Sequence, residues 1–216
     1  MACKHKFFNE LTLNGLSYEP TTLIVGTFNP SWPENNNANW FYGRTHDNNG
    51  NQNNNFWDVL PRIYGECSLI TAGPDDWKKF CKRKKIAITD LISSIEDADI
   101  TSPQHLKILG SFSDKDIATK FKHHELVNIV KLLNQHKTIK NVYLTRGTGE
   151  NFWRKLWEPV INYAITNNIK QSTLLTPSGY ARFQRGSFNK TNPSMKIDKL
   201  SDFILYSWKE VWHEIQ

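Results

Sequence analysis

Four short runs of β-branched and aliphatic residues do most to limit what this chain can fold into: TLIVG (22–26), IAITD (86–90), VYLTRG (142–147) and STLLTP (172–177). Each is continuous rather than alternating, the pattern of a strand buried on both faces. Stretches of helical periodicity separate them. In DIATKFKHHELVNIVKLLNQH (116–136), Ile117, Phe121, Leu126, Ile129, Val130 and Leu133 share one face, and Ser113 stands as a cap with Asp116 three residues on. TGENFWRKLWEPVINYAI (148–165) carries Trp153, Leu156, Trp157, Val160 and Ile161 on its stripe. The last helix aligns Leu200, Phe203, Ile204, Ser207, Trp208, Val211, Trp212 and Ile215, so its tryptophans read as core. Strands alternating with helices predict an α/β fold with a parallel sheet covered on both sides. In such sheets ligands bind beyond the carboxyl ends of the strands. The loops GTFNPSW, TDLISS, TRGTGEN and TPSGYARFQRG, which follow the four runs, are therefore expected to face one cleft.

A chain of 216 residues suits one domain with a sizeable core. Lys+Arg 27 against Asp+Glu 21 gives a formal charge of +6, which favours polyanionic partners. Three scattered cysteines, Cys3, Cys67 and Cys81, do not make a disulfide framework, a four-thiolate zinc site or an iron–sulfur cluster. The seven histidines show no metal-ligand spacing, and His123 and His124 read as an exposed helical face. No metal and no cofactor are expected. With no long apolar run and no signal-peptide pattern in MACKHKFFNEL, the expectation is a soluble, intracellular monomer. Residues 35–55, rich in asparagine, read as a mobile surface insertion.

The loops hold the chemistry. Asn29-Pro30 closes the first strand's loop, and Trp40, Phe41 and Tyr42 follow a polar loop where packing gives little reason to place them. In NNNFWDVLPRIYG, Phe56 and Trp57 fit core packing, with Asn54 and Asn55 as caps. TRGTGEN offers glycines 147 and 149 between strand and helix, as a phosphate loop would, but lacks a third glycine. KKFCKRKK (78–85) reads as solvated surface or a phosphate contact. Pro177, Ser178 and Gly179 predict a tight turn that thrusts Tyr180 outward between Arg182 and Arg185. Such an aromatic suits insertion between stacked bases; the plain alternative folds it back onto the protein.

Taken in order, VGTFNPSW, WFYGR, NNFW, IAITDLI and TPSGYAR resemble the uracil-DNA glycosylase superfamily, closest to its mismatch-specific uracil/thymine-DNA and hypoxanthine-DNA branches. The resemblance runs from about Leu23 to Arg182 and implies a three-layer αβα sandwich around a four-stranded parallel sheet. It implies hydrolysis of the N-glycosidic bond of a damaged or deaminated base in DNA. By this resemblance Asn29 holds the attacking water, and Asn54 is the other candidate catalytic asparagine. Tyr42 stacks on the flipped base, with Phe28 and Phe56 as further base-binding candidates. Ser178, Gly179, Tyr180, Arg182 and Arg185 form the DNA-entering loop. The chain departs from the pattern in having both Thr27 and Phe28 between Gly26 and Asn29, serine at 31, and an asparagine-rich insertion between Tyr42 and Asn54. Two other readings stand beside this one: a DNA-binding module of the same fold without activity, and a nucleotide-handling α/β enzyme using TRGTGEN with carboxylates among Asp90, Glu96, Asp97 and Asp99.

Overall fold

A computed structural model describes residues 2–47 and 49–213. Along these the order is β1 (Cys3–Lys4), β2 (Thr22–Gly26), α1 (Phe56–Ile63), α2 (Pro74–Lys84), β3 (Ile86–Asp90), β4 (Ile92–Ile95), α3 (Pro103–Ser111), α4 (Asp114–Lys120), β5 (His124–Leu126), α5 (Ile129–Gln135), β6 (Asn141–Leu144), α6 (Asn151–Thr166), β7 (Lys170–Thr173), α7 (Ala181–Thr191) and α8 (Leu200–Lys209). The central sheet has strand order β3-β2-β6-β7 and is parallel throughout. Every residue of β2, β3 and β6 is buried, which is why their sequences show no alternation.

The pleat divides these side chains between two cores. Leu23, Val25, Ala87, Val142 and Leu144 point to one face, where Leu109, Ile117, Leu133, Trp153 and Trp157 from α3 to α6 cover them. Ile24, Ile86, Ile88 and Tyr143 point to the other, against Phe56, Trp57, Trp77 and Trp208 of α1, α2 and α8. The three layers follow. A smaller antiparallel sheet, β1-β4-β5, carries the N-terminal segment along the edge of the domain.

Several expectations need correction. The fourth strand lies at Lys170–Thr173 rather than 172–177; among the described residues it pairs with β6 alone, so a polar KQST sequence suffices there, and Leu174 adds one last backbone bond to Leu144. The single helix expected over 116–136 is broken into α4, β5 and α5. The Asp97 carboxylate accepts the Lys122 and His123 amides, β5 pairs with β4, and the Asn128 side chain caps a fresh helix by accepting Lys131 N–H. Leu126 is thereby exposed instead of core, and His124 is not on a helical face: its ring packs 4.9 Å from Phe152 and bonds the Ile117 carbonyl. The Ser113 cap forms as expected. In the last helix α8 stops at Lys209, yet Trp212 still stacks on Tyr143 at 4.4 Å; Ile215 lies outside the described residues.

The asparagine-rich insertion is not merely surface. Asn36, Ala38, Trp40, Phe41 and Asn55 are all buried. Trp40 stacks on Trp57 at 5.7 Å and gives its indole N–H to Glu10, while the Trp57 indole donates to the Phe41 carbonyl. Packing does account for Trp40 and Phe41: the insertion doubles back under α1, a long-range contact that local sequence does not disclose.

Candidate active site

The chain runs from β2 to β3 on one side of the sheet, then returns to β6 on the other, so the strand order reverses between β2 and β6. A cleft belongs beyond the carboxyl ends at that switch point. One of about 780 Å³ lies there, lined by Thr27, Phe28 and Asn29 after β2, Asp90 at the end of β3, Thr145 to Gly147 after β6 and Thr176 to Tyr180 after β7. The fourth wall comes from Asn36, Ala38, Tyr42, Arg44, Asn53 and Asn54 of the insertion. All four loops expected at one cleft contribute to it.

Asn29 is half-buried on the cleft wall. Its backbone carbonyl accepts Lys6 N–H at 2.7 Å, and its side-chain oxygen accepts Asn36 Nδ2 at 2.5 Å. Asn36, only 5% exposed, also gives an N–H to the Pro30 carbonyl. These bonds fix the Asn29 carboxamide with its oxygen toward Asn36 and one lone pair still available. Asn36 had been hidden among its neighbours; a single buried asparagine in a run of exposed ones carries no local signal.

Tyr42 lies at a left-handed φ of 55°, a conformation costing a bulky residue roughly 1–2 kcal/mol, and it turns the ring into the cleft. Phe56 backs that ring at 3.8 Å with a 3° interplanar angle. Phe56 itself is fully buried and does not line the cleft, so it supports Tyr42 from behind rather than facing a ligand. The Tyr42 hydroxyl is 2.8 Å from Thr145 Oγ1, which in turn reaches the Val25 carbonyl. Burial, reinforced by the Asp90 charge, pushes the phenol well above its ordinary range and keeps it protonated. Gly26 makes this convergence possible: a Cβ there would stand 2.1 Å from Asp90 Oδ1 and 2.7 Å from the Tyr42 hydroxyl.

Asn54 lines the cleft and accepts the Phe56 amide through Oδ1 in an Asx turn; the cap position of α1 is held by Asn55, which makes no side-chain cap bond, so neither asparagine caps the helix as expected. The segment bridges antiparallel to Ser178, and Asn55 gives both its backbone and side-chain N–H groups to the Pro177 carbonyl. The insertion and the last loop are thus tied into one wall. In that loop the Ala181 and Arg182 amides donate to the Ser178 and Gly179 carbonyls, and Tyr180 is 65% exposed, thrust outward as expected. Ser178, Gly179, Tyr180 and Arg182 line the cleft, joined by Phe183, 77% exposed, which sequence reasoning passed over. Arg185 does not line it: its guanidinium bonds the Asp198 carbonyl and fastens α7 to the segment before α8.

The charged groups are arranged in pairs. Arg146 Nη1 lies 3.0 Å from Asp114 Oδ2, an ion pair that falls short of hydrogen-bond geometry, and Asp114 also accepts the Thr27 hydroxyl at 2.7 Å. Burial raises the Asp114 carboxyl although Arg146 opposes the shift. Arg44 stacks its guanidinium 3.3 Å from the Phe112 ring centroid, and burial lowers it to about 10. Of the carboxylates expected to serve a nucleotide-handling enzyme, Asp90 lines the cleft, where Asp114 and Glu150 also stand, both paired with Arg146; Asp97 and Asp99 accept amides elsewhere. Among the described residues no group of three or more histidine, cysteine or acidic side chains is arranged to hold a metal ion, and no helix is long and apolar enough to cross a membrane.

The architecture has a solved counterpart. The chain is similar to the solution NMR structure of "a putative Uracil DNA glycosylase from Methanosarcina acetivorans", with a TM-score of 0.50 and 15% identity over 92% of this chain and 94% of that one. The fold is uracil-DNA glycosylase-like. At that identity the likeness speaks for the backbone arrangement alone. No family model matches the sequence, and no curated protein does.

Proposed function

We propose that the protein is a monofunctional DNA glycosylase, hydrolysing the N-glycosidic bond of an extruded uracil, hypoxanthine or mismatched base in base excision repair. The observation that supports this reading is convergence: Asn29, Tyr42, Asn54 and the Tyr180 turn come from four separate stretches of sequence and meet in one cleft. Its volume suits a small planar ligand, and an exposed aromatic stands at its rim.

Each part has a physical task. A base inside a duplex is out of reach, so it must leave the stack, at a cost of a few kcal/mol that is least for damaged or mispaired bases. Tyr180, with Phe183 beside it, fills the space the base vacates, while Arg182 meets a phosphate. The extruded ring stacks on the Tyr42 face opposite Phe56, an interaction worth roughly 1–3 kcal/mol and indifferent to base identity. Hydrogen bonds supply discrimination, and Asn54, its Oδ1 engaged by the Phe56 amide, offers its Nδ2 as a donor to the ring edge. Asn29, its orientation fixed by Asn36, holds a water through the remaining lone pair of its oxygen. Bond cleavage runs ahead of attack, through an oxocarbenium-like sugar resembling that of glycoside hydrolysis. Backbone N–H groups of the Thr27–Asn29 turn stabilise the departing base anion in a partly dry pocket; Pro30 has none, and that of Ser31 donates to the Lys4 carbonyl.

A second reading, a DNA-binding module without turnover, draws on the engagement of the Asn29 oxygen by Asn36. Duplexes containing uracil, hypoxanthine or a mismatch, assayed for abasic sites, separate the two. Glycosylase action predicts base release that Asn29→Ala abolishes while binding to abasic-site DNA persists. Full activity in Asn29→Ala with loss in Asn54→Ala would move the water to the other asparagine, and full activity in both would refute the mechanism.

A further inference from the structure

A buried histidine–carboxylate pair at the cleft floor plays no part in the mechanism above. His5, fully buried, comes from the N-terminal segment, which β1 and the backbone bonds from His5 to Ser93 and from Lys6 to Asn29 hold between β4 and the Asn29 loop. Its Nδ1 accepts the Phe7 amide at 2.9 Å, so the ring proton sits on Nε2, which donates to Asp90 Oδ2 at 2.7 Å. Asp90 is 5% exposed, and that remaining exposure opens into the cleft. Its second oxygen, Oδ1, receives no hydrogen bond among the described residues and lies over Gly26, close to the Tyr42 hydroxyl side of the pocket. A buried carboxylate with one oxygen secured and the other bare is costly unless a donor arrives to meet it.

We infer that Asp90 is the general base of the reaction, accepting a proton from the attacking water at Oδ1, and that His5 is the residue that positions it. The inference rests on the glycosylase reading and deepens it. The C1′–N bond breaks with its electron pair leaving on the base; the water oxygen bonds C1′ and gives one proton to Asp90 Oδ1; the base anion takes its proton from solvent. Asn29 then orients the water, a task suited to an amide, and the carboxylate supplies the basicity an amide lacks. The pattern is that of an acid held by a histidine's donor nitrogen, with the ring itself fixed from behind by a backbone amide.

Asp90→Asn tests this directly, because the asparagine oxygen can still accept from His5 and preserve the fold. Single-turnover base release on the unaltered protein's best duplex should fall by about 10²–10⁴-fold, with affinity for abasic-site DNA unchanged. His5→Ala should slow release by up to about 10²-fold through misplacement, and His5→Gln, which keeps a donor, should recover part of it. Asp90→Asn turning over at the unaltered rate would overturn the assignment while leaving the glycosylase reading intact. Equal rates in His5→Ala and the unaltered protein would overturn the positioning role. Inactivity of the unaltered protein on every duplex in the panel would refute the glycosylase reading, and this assignment with it.

Discussion

Gly26 is the point at which a single methyl group should test the whole cleft floor. In Gly26→Ala the new Cβ would lie 2.1 Å from Asp90 Oδ1, where ordinary contact begins near 3.4 Å, and 2.7 Å from the Tyr42 hydroxyl. Neither neighbour is a free surface chain: Asp90 is held by His5 at 2.7 Å, and Tyr42 is clamped between Phe56 and Thr145. The carboxylate must retreat by roughly 1.3 Å to restore contact distance, which breaks or badly stretches the His5 bond. Overpacking of this kind costs about 1–3 kcal/mol, and a lost charge-assisted hydrogen bond about 1.5–3 kcal/mol. For a chain of this length the combined penalty lowers Tm by roughly 5–20 °C. Calorimetry of the variant reads the stability, and base release read in parallel should fall by about 10²-fold. A Tm unmoved within about 2 °C, with release unchanged, would show that the packing of Asp90 and Tyr42 around Gly26 is not as described.

Other perturbations separate stability from recognition. Tyr180→Ala, at a 65% exposed side chain, should leave Tm within about 1 °C yet weaken duplex binding, as measured by fluorescence anisotropy; unchanged affinity would contradict its insertion. Trp57→Ala removes a fully buried indole stacked between Trp40 and Trp77 and should cost about 3–5 kcal/mol in denaturant unfolding. Duplex affinity should fall steeply as salt rises from 50 to about 200 mM, and Arg182→Ala should reduce that slope for all sequences alike. Glu66, whose carboxyl is held low chiefly by Lys84 and also by Arg83, stabilises the fold above its ordinary value of 4.5 and loses that contribution as pH falls through its lowered value. Glu66→Gln should therefore lower the neutral plateau of a Tm-against-pH curve while leaving its most acidic points nearly unmoved, which flattens the acid limb; an equal drop at both ends would contradict this.

The sheet was legible because burial on two faces leaves an unbroken apolar run, and β2 and β3 begin and end where those runs do. β7 was displaced because an edge strand escapes that requirement. The helix expected over 116–136 failed for a different reason: periodicity records one apolar face but not the Asp97 carboxylate, distant in sequence, that captures the Lys122 and His123 amides and turns the chain. At the candidate site the loop ends were legible, since turn residues after buried strands mark a cleft in any parallel sheet. Tyr42 and Asn54 reach it as expected, whereas Phe56 stands behind Tyr42 and Arg185 is spent on α8's approach. Asn36 and His5 had no signal at all. Their importance comes from partners at Asn29 and Asp90, seven and 85 positions away, and from burial that neither neighbouring sequence implies.

Whether this cleft releases a base from DNA is read by mass spectrometry of the products after incubation with duplexes carrying a single uracil, hypoxanthine or mismatched thymine. The account predicts free base and an intact strand bearing one abasic site for at least one of these duplexes. Intact substrate in every case, at protein concentrations that saturate the duplex, would contradict it.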